Sequence, residues 1–439
     1  MKNLRAGIIL CSTLLLLSGF FIRKTAELPV PAKAPAATPA ISDASAVVAL
    51  PADAPALALP ASATTSSAVV SHKAGASEAA ALAPQDEDLS PYPGSRVDPK
   101  VILALHGTAP LNAQHPHMAA AIAVQERYTK ELMANPAVVG TSVGLNDDGQ
   151  VAVLVLTKTD STGLPANLDQ IPVVVWKTGE VFARNRPDQD GATTLDRARE
   201  QGKSSGARPA SVPLQQTRFD HPVPIGVSTS LPSTYTAPYI TAGTLGCRVT
   251  DGSFVYALSN NHVFANESLA PKGAILLQPG TLDKGVNGDF YGNLDRWSTI
   301  VFSSTANNVV DAAVAVSDTG SLGNSTPAGG YGTPSSSVVA PAATMAVTKY
   351  GRTTGQTSAS ISGINSTILV SYDRGNAQFI HQVMISSRTF SDGGDSGSLI
   401  VTSVNQNPVG LLFAGGRTAT FANPIQDVLN TFGVTIDGK

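Results

Sequence analysis

The chain has 439 residues, 42% hydrophobic and 14% charged, which is more than one ordinary domain and enough apolar material for a sizeable core. With 29 Lys and Arg against 32 Asp and Glu, a formal charge of −3 and no basic cluster outside the extreme N-terminus, it lacks the footprint of a nucleic-acid-binding protein. Its two cysteines, Cys11 and Cys247, lie far apart, and no nucleotide, metal or flavin motif is evident, so no cofactor is expected.

Residues 1–26 read as an export segment. Lys2 and Arg5 precede an apolar run from Ala6 to Ile22, which Arg23 and Lys24 close. The run's length falls between a signal-peptide core and a minimal membrane span, so a cleaved signal peptide and an uncleaved anchor both remain open. Either way the bulk of the chain is expected outside the inner membrane, secreted or periplasmic. Residues 27–93 are dominated by Ala, Pro, Ser and Thr, a composition that cannot offset chain entropy, and are expected to be a disordered linker.

Residues 94–184 are expected to form a small α+β domain. His117 to Asn135 has helical spacing, with Met118, Ile122, Leu132 and Met133 inward. Val138 to Leu145, the turn Asn146–Gly149 and Val151 to Thr157 read as strand, turn and strand, with a third strand at Val173–Trp176. His106, His115 and His117 invite a metal reading, but no cysteine or acidic residue accompanies them at metal-like spacing. A loop or helix-cap role is favoured. Residues 185–220, rich in Asp, Arg, Gln, Ser and Gly, form an exposed, protease-sensitive connection.

From 221 to 439 short apolar runs alternate with Gly, Asn and Ser turns, as expected of an all-β region. Strands are expected at Thr244–Val249, Phe254–Ser259, Met345–Thr348, Thr367–Tyr372, Phe379–Ile385, Ser398–Thr402 and Val409–Phe413. Asn423 and Pro424 are expected to cap a final helix. Within this region, Ser391 to Val401 combines a glycine turn with an apolar strand. Gly393, Gly394 and Gly397 permit a sharp bend around Ser396. A serine hydroxyl needs a base, an orienter for that base, and donors for the oxyanion before it can perform acyl transfer. The amides of Gly394 and Ser396 can serve as those donors. His262 ends the apolar run Tyr256–Ser259 and Asn260-Asn261, while Asp311 sits inside Val309–Val316, where a charge demands hydrogen bonds.

The order His262, Asp311, Ser396 is that of the chymotrypsin class. Roughly Val223 to Val434 resembles a chymotrypsin-fold, trypsin-like serine peptidase of the bacterial α-lytic protease and streptogrisin type. Lys349–Gly355 resembles the hairpin that opens the second barrel of those enzymes, and Pro408–Gly416 the strand beside which substrate pairs. The resemblance implies a double β-barrel, His262 as general base, Asp311 as its orienter and Ser396 as nucleophile. It also implies substrate contacts at Phe390, Ala414, Gly415 and Gly416.

Phe390 stands where trypsin-like enzymes keep an acid for basic side chains, so an apolar or small preference is implied instead. Ala414 stands where many members place a serine against the buried aspartate, so Asp311 loses one expected hydrogen bond. A basic residue, Lys349 or Arg352, is expected to balance Asp395. The relatives carry an N-terminal pro-region that assists folding and then inhibits, a role open to residues 94–184 by position. The expected activity is an exported serine endopeptidase acting on protein or peptide. A catalytically silent peptide-binding relative and an esterase using the same groups remain alternatives.

Overall fold

In the computed structural model, which describes residues 93–183, 212–237, 241–416 and 418–439, the Asn146–Gly149 turn folds two apolar strands against each other. The Asn146 side chain accepts from the amides of Asp148 and Gln150, and Gly149 adopts a positive φ of 79°. The expected export segment, and the expected linker but for Pro93, lie outside the described residues, as does most of the expected 185–220 connection. Among the described residues no helix is long and apolar enough to cross a membrane.

The N-terminal elements are α1 (Pro99–His106), α2 (Pro116–Leu132), β1 (Val138–Leu145), β2 (Val151–Thr157), β3 (Asn167–Leu168), β4 (Ile171–Lys177) and β5 (Phe182–Ala183). Proline in the first turn of α2 and the His115 ring, which accepts from the His117 amide, start that helix. His115 is thus a helix cap. His106 and His117 share a hydrogen bond between their Nδ1 atoms at 2.8 Å, and no metal-holding cluster occurs among the described residues. Helix α2 turns Met118, Ala121, Val124 and Leu132 inward, leaving Ile122 and Met133 half-buried. Strand β4 runs parallel to β2, while β1 pairs antiparallel with β2.

The described residues continue from Val212. Arg218 forms a two-pronged bond with Asp289, both contacts at 2.6 Å. There follow β6 (Ser228–Thr229), β7 (Gly243–Thr244), β8 (Cys247–Thr250), β9 (Val255–Ser259), α3 (Asn261–Phe264), β10 (Ile275–Leu277), β11 (Phe290–Trp297) and β12 (Ala313–Ser317). Next come β13 (Ala346–Gly351), β14 (Gly355–Tyr372), β15 (Gly375–Ser386), β16 (Leu399–Thr402), β17 (Pro408–Gly415) and β18 (Ala419–Pro424). Helix α4 (Ile425–Phe432) and β19 (Thr435–Ile436) end the chain.

A six-stranded sheet has the order β10-β11-β12-β9-β8-β19. Its core gathers Val249, Leu258, Val314 and Ala315 with Leu429 and Phe432 of α4. Cys247 is buried there, and burial pushes its thiol far above the ordinary range. The larger sheet runs β13-β16-β17-β18-β15-β14-β1-β2-β4-β3, and the added pairing of β13 with β14 closes six of its strands into a ring. In the smaller sheet, a bridge between Ser230 and Leu277 ties the β6–β7 pair to the β10 edge.

Strand β14 is far longer than expected. Its length lets β1 add to it antiparallel, with Gly140 opposite Ile368 and Gly144 opposite Gly363. Both glycines are required by that approach, since a Cβ on Gly140 would lie 2.4 Å from Thr367 O and one on Gly144 2.3 Å from Ser362 O. The sheet of residues 138–177 is consequently continuous with that of residues 346–424.

Asn423 does not cap the last helix. It lies in β18, Pro424 is the N-cap residue without a side-chain cap, and the Asn423 amide is used elsewhere.

Candidate active site

Three local features bring distant residues together. Strand β9 ends at Ser259, and the single turn of α3 follows at once, carrying His262. Strand β12 pairs antiparallel with β9, Ala313 opposite Ser259, so that Asp311 is delivered alongside α3. The carboxylate can only accept, and it takes His262 Nδ1–H at 2.6 Å on Oδ2 and the His262 amide at 3.2 Å on Oδ1. Asp311 and the His262 side chain are fully buried.

A buried charge of this kind persists only with further donors. Tyr372 supplies one, its hydroxyl donating to Asp311 Oδ2 at 2.9 Å. The hydrogen bond expected to be missing at Ala414 is thus made from another strand. The backbone of Asp311 is held as well: Asn260 Nδ2 donates to its carbonyl at 2.7 Å, and Asn423 Oδ1 accepts from its amide at 3.1 Å. Asn423 is in turn fixed by donating to Gln382 Oε1 at 2.7 Å. None of these roles was legible from spacing: Asn423 read as a helix cap, Tyr372 as a strand end and Asn260 as the polar end of an apolar run.

The serine turn abuts β7 and β9. The Thr244 amide donates to Ser396 O at 2.7 Å, and Thr244 Oγ1 donates to Gly394 O at 2.9 Å. Gly243 fits between Val263, the neighbour of His262, and Ser396, where an added Cβ would lie 2.6 Å from Val263 Cγ2 and 3.2 Å from Ser396 O. Gly394 and Gly397 have φ of 95° and 92°, and a Cβ on Gly397 would strike Ser259 Oγ and Thr244 O. Ser396 Oγ is buried and makes no hydrogen bond among the described residues. The amides of Gly394 and Ser396 meet no acceptor among those residues either.

Asp395 turns away into the interior, and the two candidate cations separate clearly. Lys349 Nζ lies 3.2 Å from Asp395 Oδ2 with both side chains fully buried, whereas Arg352 grips Asp283 through two contacts of 2.7 Å. Thr353 N–H, Thr354 Oγ1 and Asp392 N–H also donate to Asp395, at 2.8, 2.7 and 3.0 Å. Burial by itself pushes the Asp395 carboxyl up, but the Lys349 ammonium and these donors outweigh it and hold it below the ordinary range.

Strand β17 carries Ala414 and Gly415, and β5 pairs antiparallel with it, Ala183 opposite Ala414 and Phe182 opposite Gly415. The chain's own Val181 and Ala183 share a cluster with Phe413, Ala414, Ala419 and Phe421. Gly416 permits close backbone approach, since a Cβ there would lie 2.7 Å from Glu180 O. Phe390 is fully buried in a different cluster, with Val347, Ile361, Ile400 and Leu412. His381 is exposed on β15.

No family model and no curated protein matches the chain. Among solved structures it is similar to a glutamic acid-specific serine protease, described as using a histidine triad in substrate binding, at 19% identity and a TM-score of 0.35 over 49% of this chain and 100% of that one. It is similar to Nocardiopsis protease at 17% identity and a TM-score of 0.34, over 49% and 98% of the two chains. An α-lytic protease homologue, N4, gives 18% and 0.34 over 48% and 98%. The structures that the C-terminal half of this chain is similar to are chymotrypsin-fold bacterial serine proteases.

Proposed function

We propose that this chain is an exported serine endopeptidase that hydrolyses peptide bonds through an acyl-enzyme. The observation that carries the reading is the buried His262–Asp311 hydrogen bond of 2.6 Å on strands that also hold the Ser396 turn. In this reading Ser396 Oγ attacks the substrate carbonyl, and His262 takes the hydroxyl proton and later returns it to the leaving amine. Asp311 stays ionised and fixes the imidazole. The amides of Gly394 and Ser396, which meet no acceptor among the described residues, donate to the oxyanion. Each such donor contributes roughly 3–4 kcal/mol in comparable sites.

Peptide substrate would add a strand to β17 along Ala414, Gly415 and Gly416. Support for that path comes from β5, which already lies there as an extended segment. By the same token, residues 94–183 would act as a pro-region that occupies the groove until the connection after them is cut. Phe390, fully buried where trypsin-like enzymes keep an acid, favours small or apolar side chains over basic ones at the cleavage position.

One observation favours a second reading, a peptide-binding cleft without chemistry: Ser396 Oγ makes no hydrogen bond among the described residues. Catalytic hydrogen bonds are often completed only when substrate binds, so the first reading is preferred. Fluorophosphonate labelling of the wild type beside Ser396→Ala separates the two. Labelling that survives the substitution, or is absent from both proteins after the N-terminal segment has been removed, overturns the peptidase reading. Turnover of ester but not of the matched amide would assign an esterase.

A further inference from the structure

Tyr372 occupies a position that neither substrate binding nor the three-residue mechanism requires. It is the last residue of β14, at the tip of the long β14–β15 hairpin, and its hydroxyl reaches Asp311 Oδ2 at 2.9 Å. The ring is 4% exposed and stands edge-on to His262 at 6.0 Å and to Phe302 at 5.8 Å, with Phe379 tilted against it at 6.1 Å. The hairpin tip that carries it is clasped by Glu267. The Glu267 carboxylate accepts the amides of Asp373 and Arg374 at 3.0 and 3.1 Å, and Arg374 Nη1 donates back to Glu267 O at 2.8 Å. Arg374 also lies over Phe302, 4.8 Å from the ring centre.

We infer that Tyr372 is a positioning residue for the His262–Asp311 pair, its hydroxyl fixing the rotation of the carboxylate and dispersing its charge. Ala414 has no group that could do so. Burial first, then the charge and hydrogen bond of Asp311 and the charge of Glu267, keep the phenol protonated, so it remains a donor across the working range. The charged and titratable groups around the hydroxyl are Asp311, His262 from α3, Glu267 from the loop after it, and Asp373 and Arg374 from the hairpin tip. Among the described residues, Asp311 is the acceptor of the phenol's hydrogen bond.

A donor on the carboxylate draws negative charge away from the imidazole. Removing it leaves more of that charge facing a protonated His262, which then holds its proton to higher pH. The kinetic consequence rests on the serine-peptidase reading; the electrostatic one does not. The test follows the downfield proton resonance of His262 Nδ1–H across pH in the full chain carrying Ser396→Ala, with and without Tyr372→Phe. The titration midpoint is expected to rise in Tyr372→Phe. With 3-fluorotyrosine at position 372, a stronger donor of nearly unchanged shape, it is expected to fall.

In parallel, with Ser396 intact, the plateau rate of fluorophosphonate labelling is expected to drop about threefold to tenfold in Tyr372→Phe. A midpoint unmoved by either change overturns the inference. If Tyr372→Phe does not fold, the fluorotyrosine protein alone decides by the direction of its shift. A moved midpoint in a protein that never labels, even after removal of the N-terminal segment, rejects the peptidase reading while keeping the role of Tyr372.

Discussion

At Asp395 and Lys349 two opposite charges are removed from water together, which is costly unless every donor and acceptor finds a partner. Here they do, and the carboxyl is held below its ordinary range. The sign of the pH effect follows. A depressed folded value gives a stabilising contribution that is complete above the ordinary carboxylate range and is lost as pH falls through the depressed value. Urea midpoints of Ser396→Ala protein are therefore expected to drop steeply below about pH 4, a dependence that Asp395→Asn flattens. That substitution removes the carboxylate that faces the buried Lys349 ammonium and is expected to cost about 3–5 kcal/mol at neutral pH. Under the proposed function, Ser396→Ala and His262→Ala should each reduce kcat/KM by about 10⁴-fold or more toward a peptide amide, measured after removal of the N-terminal segment.

Among the elements, the β14–β15 hairpin connects the most parts of the molecule. One edge of β14 receives β1, its last residue bonds Asp311, and Ser371 pairs with Phe182 of β5. The approach of β1 depends on two glycines that leave no room for a side chain. Gly144→Val is expected to break the β1–β14 pairing, because its first carbon would meet Ser362 O and Leu154 Cδ1. Overpacking of this kind costs about 1–3 kcal/mol. In a Ser396→Ala background, hydrogen exchange should then show lost protection in β1 and in residues 363–368, with protection in β8, β9 and β12 unchanged. The length of β14 was not readable from the sequence, since Ser and Gly interrupt its apolar alternation between Gly355 and Ser366.

For the molecule as a whole, residues 93–183 contribute one sheet edge and then return to lay β5 beside β17. Under the proposed function, this places an attached segment where substrate belongs, at high effective concentration. Intact Ser396-containing chain is expected to label with fluorophosphonate at least tenfold more slowly than protein cut within residues 185–211 and freed of the N-terminal segment. Equal rates would reject inhibition by that segment.

The spacing of apolar runs and glycine turns was sufficient to locate the serine turn, the His262 strand end and the buried Asp311, because each is a local pattern with a physical cost that announces it. A charge within Val309–Val316 required a partner, and a turn as tight as Gly393–Gly397 required glycine. Local pattern could not say which partner. Lys349 rather than Arg352 meets Asp395, Tyr372 rather than residue 414 completes Asp311, and Asn423 serves the aspartate rather than the last helix. Those choices depend on strand register across residues tens to hundreds of positions apart, and register is decided only when the sheets assemble.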